Sequence, residues 1–173
     1  AAAFIRREEE KLVETGERAE DESSKLSRRA SQQRNAIERF KQRAVITQEL
    51  GKSIQDNWGH VDNILTQLNT AVEERGWQDI ADMSHEVEWV DSVDPANHSV
   101  VAFLPDSDGE PGASVTLEAS KTVHQNAQRY FEEARSQKNK AKGALDALKE
   151  TEKSKKTADK KAAKEIASGK LRG

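Results

Sequence analysis

The sequence predicts a mainly α protein: a long antiparallel two-helix coiled coil capped by a small α+β head that holds a two-stranded β-hairpin. Three observations carry this prediction. Both ends of the 173-residue chain repeat small and apolar residues at steps of three, four or seven, over stretches far longer than a globular helix needs. All three prolines fall between Pro95 and Pro111, and the β-branched runs lie beside them. Charge divides the chain in the same places. Residues 1–50 carry 11 Lys+Arg against 10 Asp+Glu, residues 51–118 carry 2 against 14, and residues 119–173 carry 15 against 7. The expected organisation is therefore a first coiled-coil helix over 1–50, a middle head over 51–118 and a second coiled-coil helix over 119–173.

Composition supports a stalk rather than one ordinary core. Charged and hydrophobic residues are equal at 34%, and aromatics are only 5%. There is no cysteine, which excludes disulfides, zinc–thiolate sites and a cysteine nucleophile and fits a reducing compartment. No apolar run approaches the ~18 residues of a membrane span, and no signal-peptide pattern opens the chain. We read the sequence as a stretch of a larger cytoplasmic protein.

The first helix shows two rows at heptad spacing. Ile5, Leu12, Ala19, Leu26, Gln33 and Phe40 form one; Glu9, Gly16, Ser23, Ala30, Ile37 and Ala44 form the other. Ile54, Trp58, Val61, Leu65, Leu68 and Val72 continue the pattern as an amphipathic helix, either continuous with the first or bent near Gly51, with Gly76 as its C-cap. Trp77 to Val87 reads as a shorter helix with Trp77, Ile80 and Ala81 inward, and Met83 or Val87 beside them. Trp58 and Trp77, at helical positions, are expected in the core, while Trp89 has no clear place. Asp94-Pro95-Ala96-Asn97 is a turn. Ser99 to Leu104 and Ser114 to Leu117 read as the two strands of a hairpin around the loop Pro105 to Gly112. Thr122 followed by Gln125 makes a capping box for the second helix, whose seam runs through Ala127, Phe131, Ala134, Ala141, Leu145 and Leu148. A helix of roughly 45 residues, about 70 Å long, needs a partner, and the first 50 residues can supply it. Partner numbers that add to about 171 match Phe40 with Phe131, Ile37 with Ala134, Ala30 with Ala141 and Leu26 with Leu145. The same register leaves weak layers such as Gly16 with Lys155 and Leu12 with Asp159, so the lower stalk is expected to pack loosely.

Few residues offer chemistry. Asp106-Ser-Asp-Gly-Glu110 lacks the later ligands of a calcium loop and reads as a hairpin turn. His60, His85, His98 and His124 show no metal-ligand spacing. We assign no catalytic, cofactor or metal residue and expect no enzyme activity. Asn126, in the first turn of the second helix, is placed either to tie the hairpin to the stalk or to face a ligand. The strongest interaction signal is basic. Between residues 23 and 48, Lys25, Arg28, Arg29, Arg34, Arg39, Lys41 and Arg43 stand against Glu38 alone. Such a stripe is either a solvated helix face or a phosphate-binding surface.

Two stretches resemble a known family. Val123-x-x-Asn126-Ala127-x-x-Tyr130-Phe131-x-x-Ala134-x-x-x-Lys138 is similar to the motif that follows the small hairpin in the NFACT family, of which RqcH and NEMF are members. Gly51-x-x-Ile54-x-x-Asn57-Trp58-x-x-Val61-Asp62-x-Ile64-Leu65 resembles an upstream segment of the same family, with Gln55 where a tyrosine is common. Gly76-Trp77 and Val93-Asp94-Pro95 follow in the expected order. The resemblance covers roughly residues 45–140 and implies a coiled-coil and middle module in ribosome-associated quality control. Its implied partner is the large ribosomal subunit, through rRNA and ribosomal proteins near the stalk base; tRNA would be handled by domains outside this stretch. On that reading the phosphate contacts fall to Arg28, Arg29, Arg34, Arg39, Arg43, Lys138, Lys140 and Lys142, which the register of 171 gathers at one level. The acidic head suits a basic protein partner, or reflects a salt-adapted proteome. A structural coiled-coil spacer or a homodimerisation module is the alternative.

Overall fold

The computed structural model describes residues 2–172, and the side chains of 5–18 and 20–169. The elements are α1 (Ala2–Asp56), α2 (Trp58–Arg75), α3 (Trp77–Asp82), a 3-10 turn (Ser84–Glu86), β1 (Val90–Asp94), β2 (Ser99–Pro105), β3 (Pro111–Glu118) and α4 (Val123–Arg172). The chain is mainly helical with a small antiparallel sheet. It divides into two compact units: residues 1–41 with 138–173, and residues 42–137.

The first unit is built from α1 and α4 running antiparallel. Ala30, Ile37 and Leu148 are buried together, with Ala144 against them. Ala141, Thr151, Ala158 and Ala162 are also buried, so the seam of α4 keeps steps of three, four and seven, but Leu145, expected in it opposite Leu26, is 40% exposed. The axial register differs from the expectation. A Cβ at Gly16 would lie 3.5 Å from Ile166 Cγ1, and the Ser23 hydroxyl donates to the Asp159 carboxylate. Partner numbers thus add to 182, about three helical turns away from the expected 171. Ala30 therefore packs with Leu148 rather than Ala141, and Gly16 faces Ile166 rather than Lys155. The register of 171 also pairs Ala19 with Glu152, and that pairing lies outside the described side chains.

The second unit has one core. Ile54, Val61, Leu65 and Leu68 from the helices pack on Val100, Ala102, Leu104, Val115 and Leu117 from the sheet. The sheet has three strands in the order β1-β2-β3, not two. The additional strand, Val-Asp-Ser-Val-Asp, has three polar residues in five and a bulge between Val90 and Ser92. Both features hide it from a pattern search for alternating β-branched residues. Trp89 enters it at φ 70, and its carbonyl accepts from the Phe103 N–H at 2.8 Å.

The open choice at Gly51 falls to the continuous helix, and two further expectations are corrected here. α1 runs through Gly51 and breaks at Asn57, whose Nδ2 donates to the Ser53 carbonyl at 2.9 Å. Trp58 is not core: it starts α2 and is 56% exposed, because Ile54 and Val61 occupy the inward face on either side of the break. The helix from Trp77 ends at Asp82, and Val87 is exposed. Ser84 and His85, poor helix formers, take a 3-10 turn instead.

The start of α4 is held as expected. The Thr122 N–H donates to Gln125 Oε1 at 3.0 Å, and the Gln125 N–H donates to Thr122 Oγ1 at 3.1 Å. One turn on, fully buried Asn126 ties α4 to β3. Gly51 receives the ring of Phe131; a Cβ there would sit 2.9 Å from Phe131 Cε1.

Candidate nucleic-acid interface

All eight basic residues singled out above are exposed. Arg28, Arg29, Arg34, Arg39, Lys138, Lys140 and Lys142 belong to the two-helix unit, and Arg43 to the other. The unit is cationic: its 22 Lys+Arg face 14 Asp+Glu, net +8. Within it the structure rearranges the set. Arg28 and Arg39 are eleven residues apart, three turns, and share one face of α1. Arg34 is turned away from them, and its Nη2 lies 3.2 Å from Glu152 Oε1 of α4.

The register moves the lysines as well. Partner numbers adding to 182 place Lys142 level with Phe40, between Arg39 and Lys41, instead of level with Arg29. The lysines that stand level with Arg28 and Arg29 are Lys153 and its neighbours Lys155 and Lys156. Lys153 Nζ lies 3.6 Å from Glu150 Oε1 across a widely exposed pair, a contact worth little in water. These lysines lie outside the eight singled out above because each was placed through the register. Their signal in the sequence is the run Lys153-Ser-Lys-Lys156 itself.

The second unit has the opposite character, with 6 Lys+Arg against 17 Asp+Glu, net −11. Two of its acidic side chains, Asp106 and Asp94, shape turns of the sheet. Asp106 Oδ1 accepts from the Asp108 and Glu110 N–H groups, both at 2.9 Å, so it closes the β2–β3 turn, with Gly109 at φ 80. Asp94 accepts from Asn97 and the Ala96 N–H, and the Asn97 bond holds its carboxyl below the usual range. Among the described residues no group of three or more His, Asp or Glu is arranged to hold a metal.

This unit also carries an aromatic cluster. His60 Nε2 donates to the Phe103 carbonyl at 3.0 Å, and its ring meets Trp89 edge-on at 4.6 Å. Trp77 stacks on His98 at 4.8 Å with an interplanar angle of 2°. Trp58, by contrast, offers its indole to solvent.

Among the described residues no helix is long and apolar enough to cross a membrane. A comparison with curated proteins returned no match. The family model described as NFACT N-terminal and middle domains matches residues 4–169. The Asn126–Tyr130 segment that carried the resemblance lies where α4 grips β3, and the match runs through both units. The chain belongs to the NFACT family.

Proposed function

We propose that this chain is a non-enzymatic, large-ribosomal-subunit-binding module of a cytoplasmic ribosome-associated quality-control factor that acts on stalled nascent chains. Family membership carries this reading, and the division of charge supports it. The two helices of the net +8 unit, read as an antiparallel coiled coil, lay exposed arginines and lysines against rRNA phosphates. The net −11 unit, with Trp58 exposed, suits a basic ribosomal protein, since an exposed indole is a common interface anchor.

The test is co-sedimentation of the chain with purified free large subunits and with assembled ribosomes across a salt series. Binding selective for the free large subunit, with affinity falling as salt rises, is expected. Absence of binding at low salt rejects the module as an autonomous ribosome binder and leaves the spacer reading.

A further inference from the structure

We propose that an acid-rimmed apolar groove in the two-helix unit is a docking site for a basic amphipathic helix of a partner protein. The groove lies between α1 and α4 and encloses about 400 Å³. Leu12, Val13, Gly16 and Ile166 form its floor. Val13 is 59% exposed and Ile166 39%, so apolar surface is left facing water. Gly16 is buried where α1 meets Ile166 of α4, so the two helices close the bottom of the trough.

The rim is anionic. Glu9, Glu17 and Glu20 line it from α1, and Glu165 from α4, with no Lys or Arg among the described lining residues. Glu165 Oε2 is shielded from water and has no hydrogen-bond partner. A shielded carboxylate oxygen without a donor is costly, and an incoming lysine or arginine would bring the missing cation alongside it. The furrow next to the groove shares Glu9 and Val13 and adds Glu10 and Glu14 against one Arg6. The apolar-acidic pattern therefore continues along α1.

These features specify the occupant. A trough between two antiparallel helices accepts a third helix through anchors at i, i+3 or i+4, and i+7. Four carboxylates around it select lysine or arginine flanking those anchors. A second copy of the chain is disfavoured by the same charges, because a two-fold contact would set the glutamates of one groove against those of the other. This surface is separate from the basic residues proposed for rRNA, so its test does not depend on ribosome binding.

The probe is a fluorescent helical peptide of about five turns, ~18 residues, with leucines at i, i+3/i+4 and i+7 and lysines elsewhere. It is titrated into the full chain at near-physiological salt and compared with a scrambled peptide of the same composition. Saturable binding by the patterned peptide is expected, roughly ten-fold tighter than by the scrambled one. The double reversal Glu17→Lys/Glu20→Lys and the exposed-site change Val13→Asp are each expected to weaken it by roughly ten-fold. Asp106→Lys/Asp108→Lys in the other unit should leave it unchanged, and circular dichroism confirms that each variant is folded. Equal binding of the two peptides, no loss in the groove variants, or an equal loss in the Asp106/Asp108 variant overturns the proposal. So does sedimentation showing a dimer that Val13→Asp dissociates, since a second copy would then fill the groove.

Discussion

The Asn126 side chain pairs with the backbone of Glu118 as a neighbouring strand would. Its Oδ1 accepts from the Glu118 N–H at 2.8 Å and its Nδ2 donates to the Glu118 carbonyl at 3.2 Å. The same Nδ2 lies 3.0 Å from the Thr122 carbonyl. Two residues back along β3, the Thr116 N–H donates to the Tyr130 hydroxyl at 2.8 Å, and Arg129 Nη2 donates to the Thr116 carbonyl at 2.7 Å. The first turns of α4 thus cover the edge of β3 with side chains, which blocks pairing with another chain.

Asn126→Leu should destabilise the chain by about 2–4 kcal/mol, because the Glu118 N–H and the carbonyls around it lose a partner inside the core. Asn126→Asp should also be costly, since it keeps the acceptor but replaces the donor with an oxygen facing carbonyls. Urea unfolding followed by circular dichroism checks both. A midpoint unchanged in Asn126→Leu would show that the edge is held by Tyr130 and Arg129 alone.

Two glycines should respond in opposite directions to alanine. At Gly51 a Cβ would meet the Phe131 ring at 2.9 Å, so Gly51→Ala should cost about 1–2 kcal/mol through overpacking. At Gly143 a Cβ meets nothing within 4 Å, so Gly143→Ala should add about 0.5–1 kcal/mol of helix stability. Thermal unfolding of the two variants measures both signs.

The register is open to a direct chemical check, because the chain has no cysteine of its own. Ser23→Cys with Asp159→Cys should oxidise readily to an internal disulfide. Ala30→Cys with Ala141→Cys should not. The reverse result, read on a non-reducing gel, would restore the register of 171.

Glu118 should give a pH-dependent contribution to stability. Its carboxylate forms ion pairs with Lys121 Nζ at 2.7 Å and Arg129 Nη1 at 3.8 Å. Chiefly the Lys121 hydrogen bond, against a partial desolvation cost, holds its pKa below the usual glutamate value. A carboxyl depressed in the folded state stabilises fully above its unfolded pKa, about 4.3, and loses that contribution as pH falls through the folded value. Glu118→Gln should therefore be less stable than the parent at neutral pH, and the difference should shrink as pH drops below about 4. A difference constant from neutral to acid pH would assign the effect to packing.

Reversing Arg28 and Arg29 together with Lys153 and Lys156 should lower large-subunit affinity and flatten its salt dependence more than reversing Arg34, which is already paired with Glu152. Co-sedimentation across a salt series reads both quantities. Equal effects of the two changes would count against the level defined by the observed register.

The sequence by itself determined which faces of α1 and α4 meet. Ala30, Ile37, Ala141 and Leu148 were legible as seam residues because heptad spacing depends only on local helix geometry. The capping box at Thr122 and the Asn126 tie were legible for the same reason, as both act within a turn or two of their own position. The axial register was decided only by tertiary structure. Eleven residues make three turns, so a slip from 171 to 182 keeps the same seam inward and leaves the spacing silent. What separates the two registers is volume. The observed one sets Gly16 against Ile166 and Gly51 against Phe131, small against large, where the expected one set Phe40 against Phe131. The third strand was likewise hidden, because Val-Asp-Ser-Val-Asp becomes a strand only when β2 offers it an open edge. Trp58 looked inward by spacing and faces water because the helix breaks at Asn57, a break that resets the face on which the next turn is read.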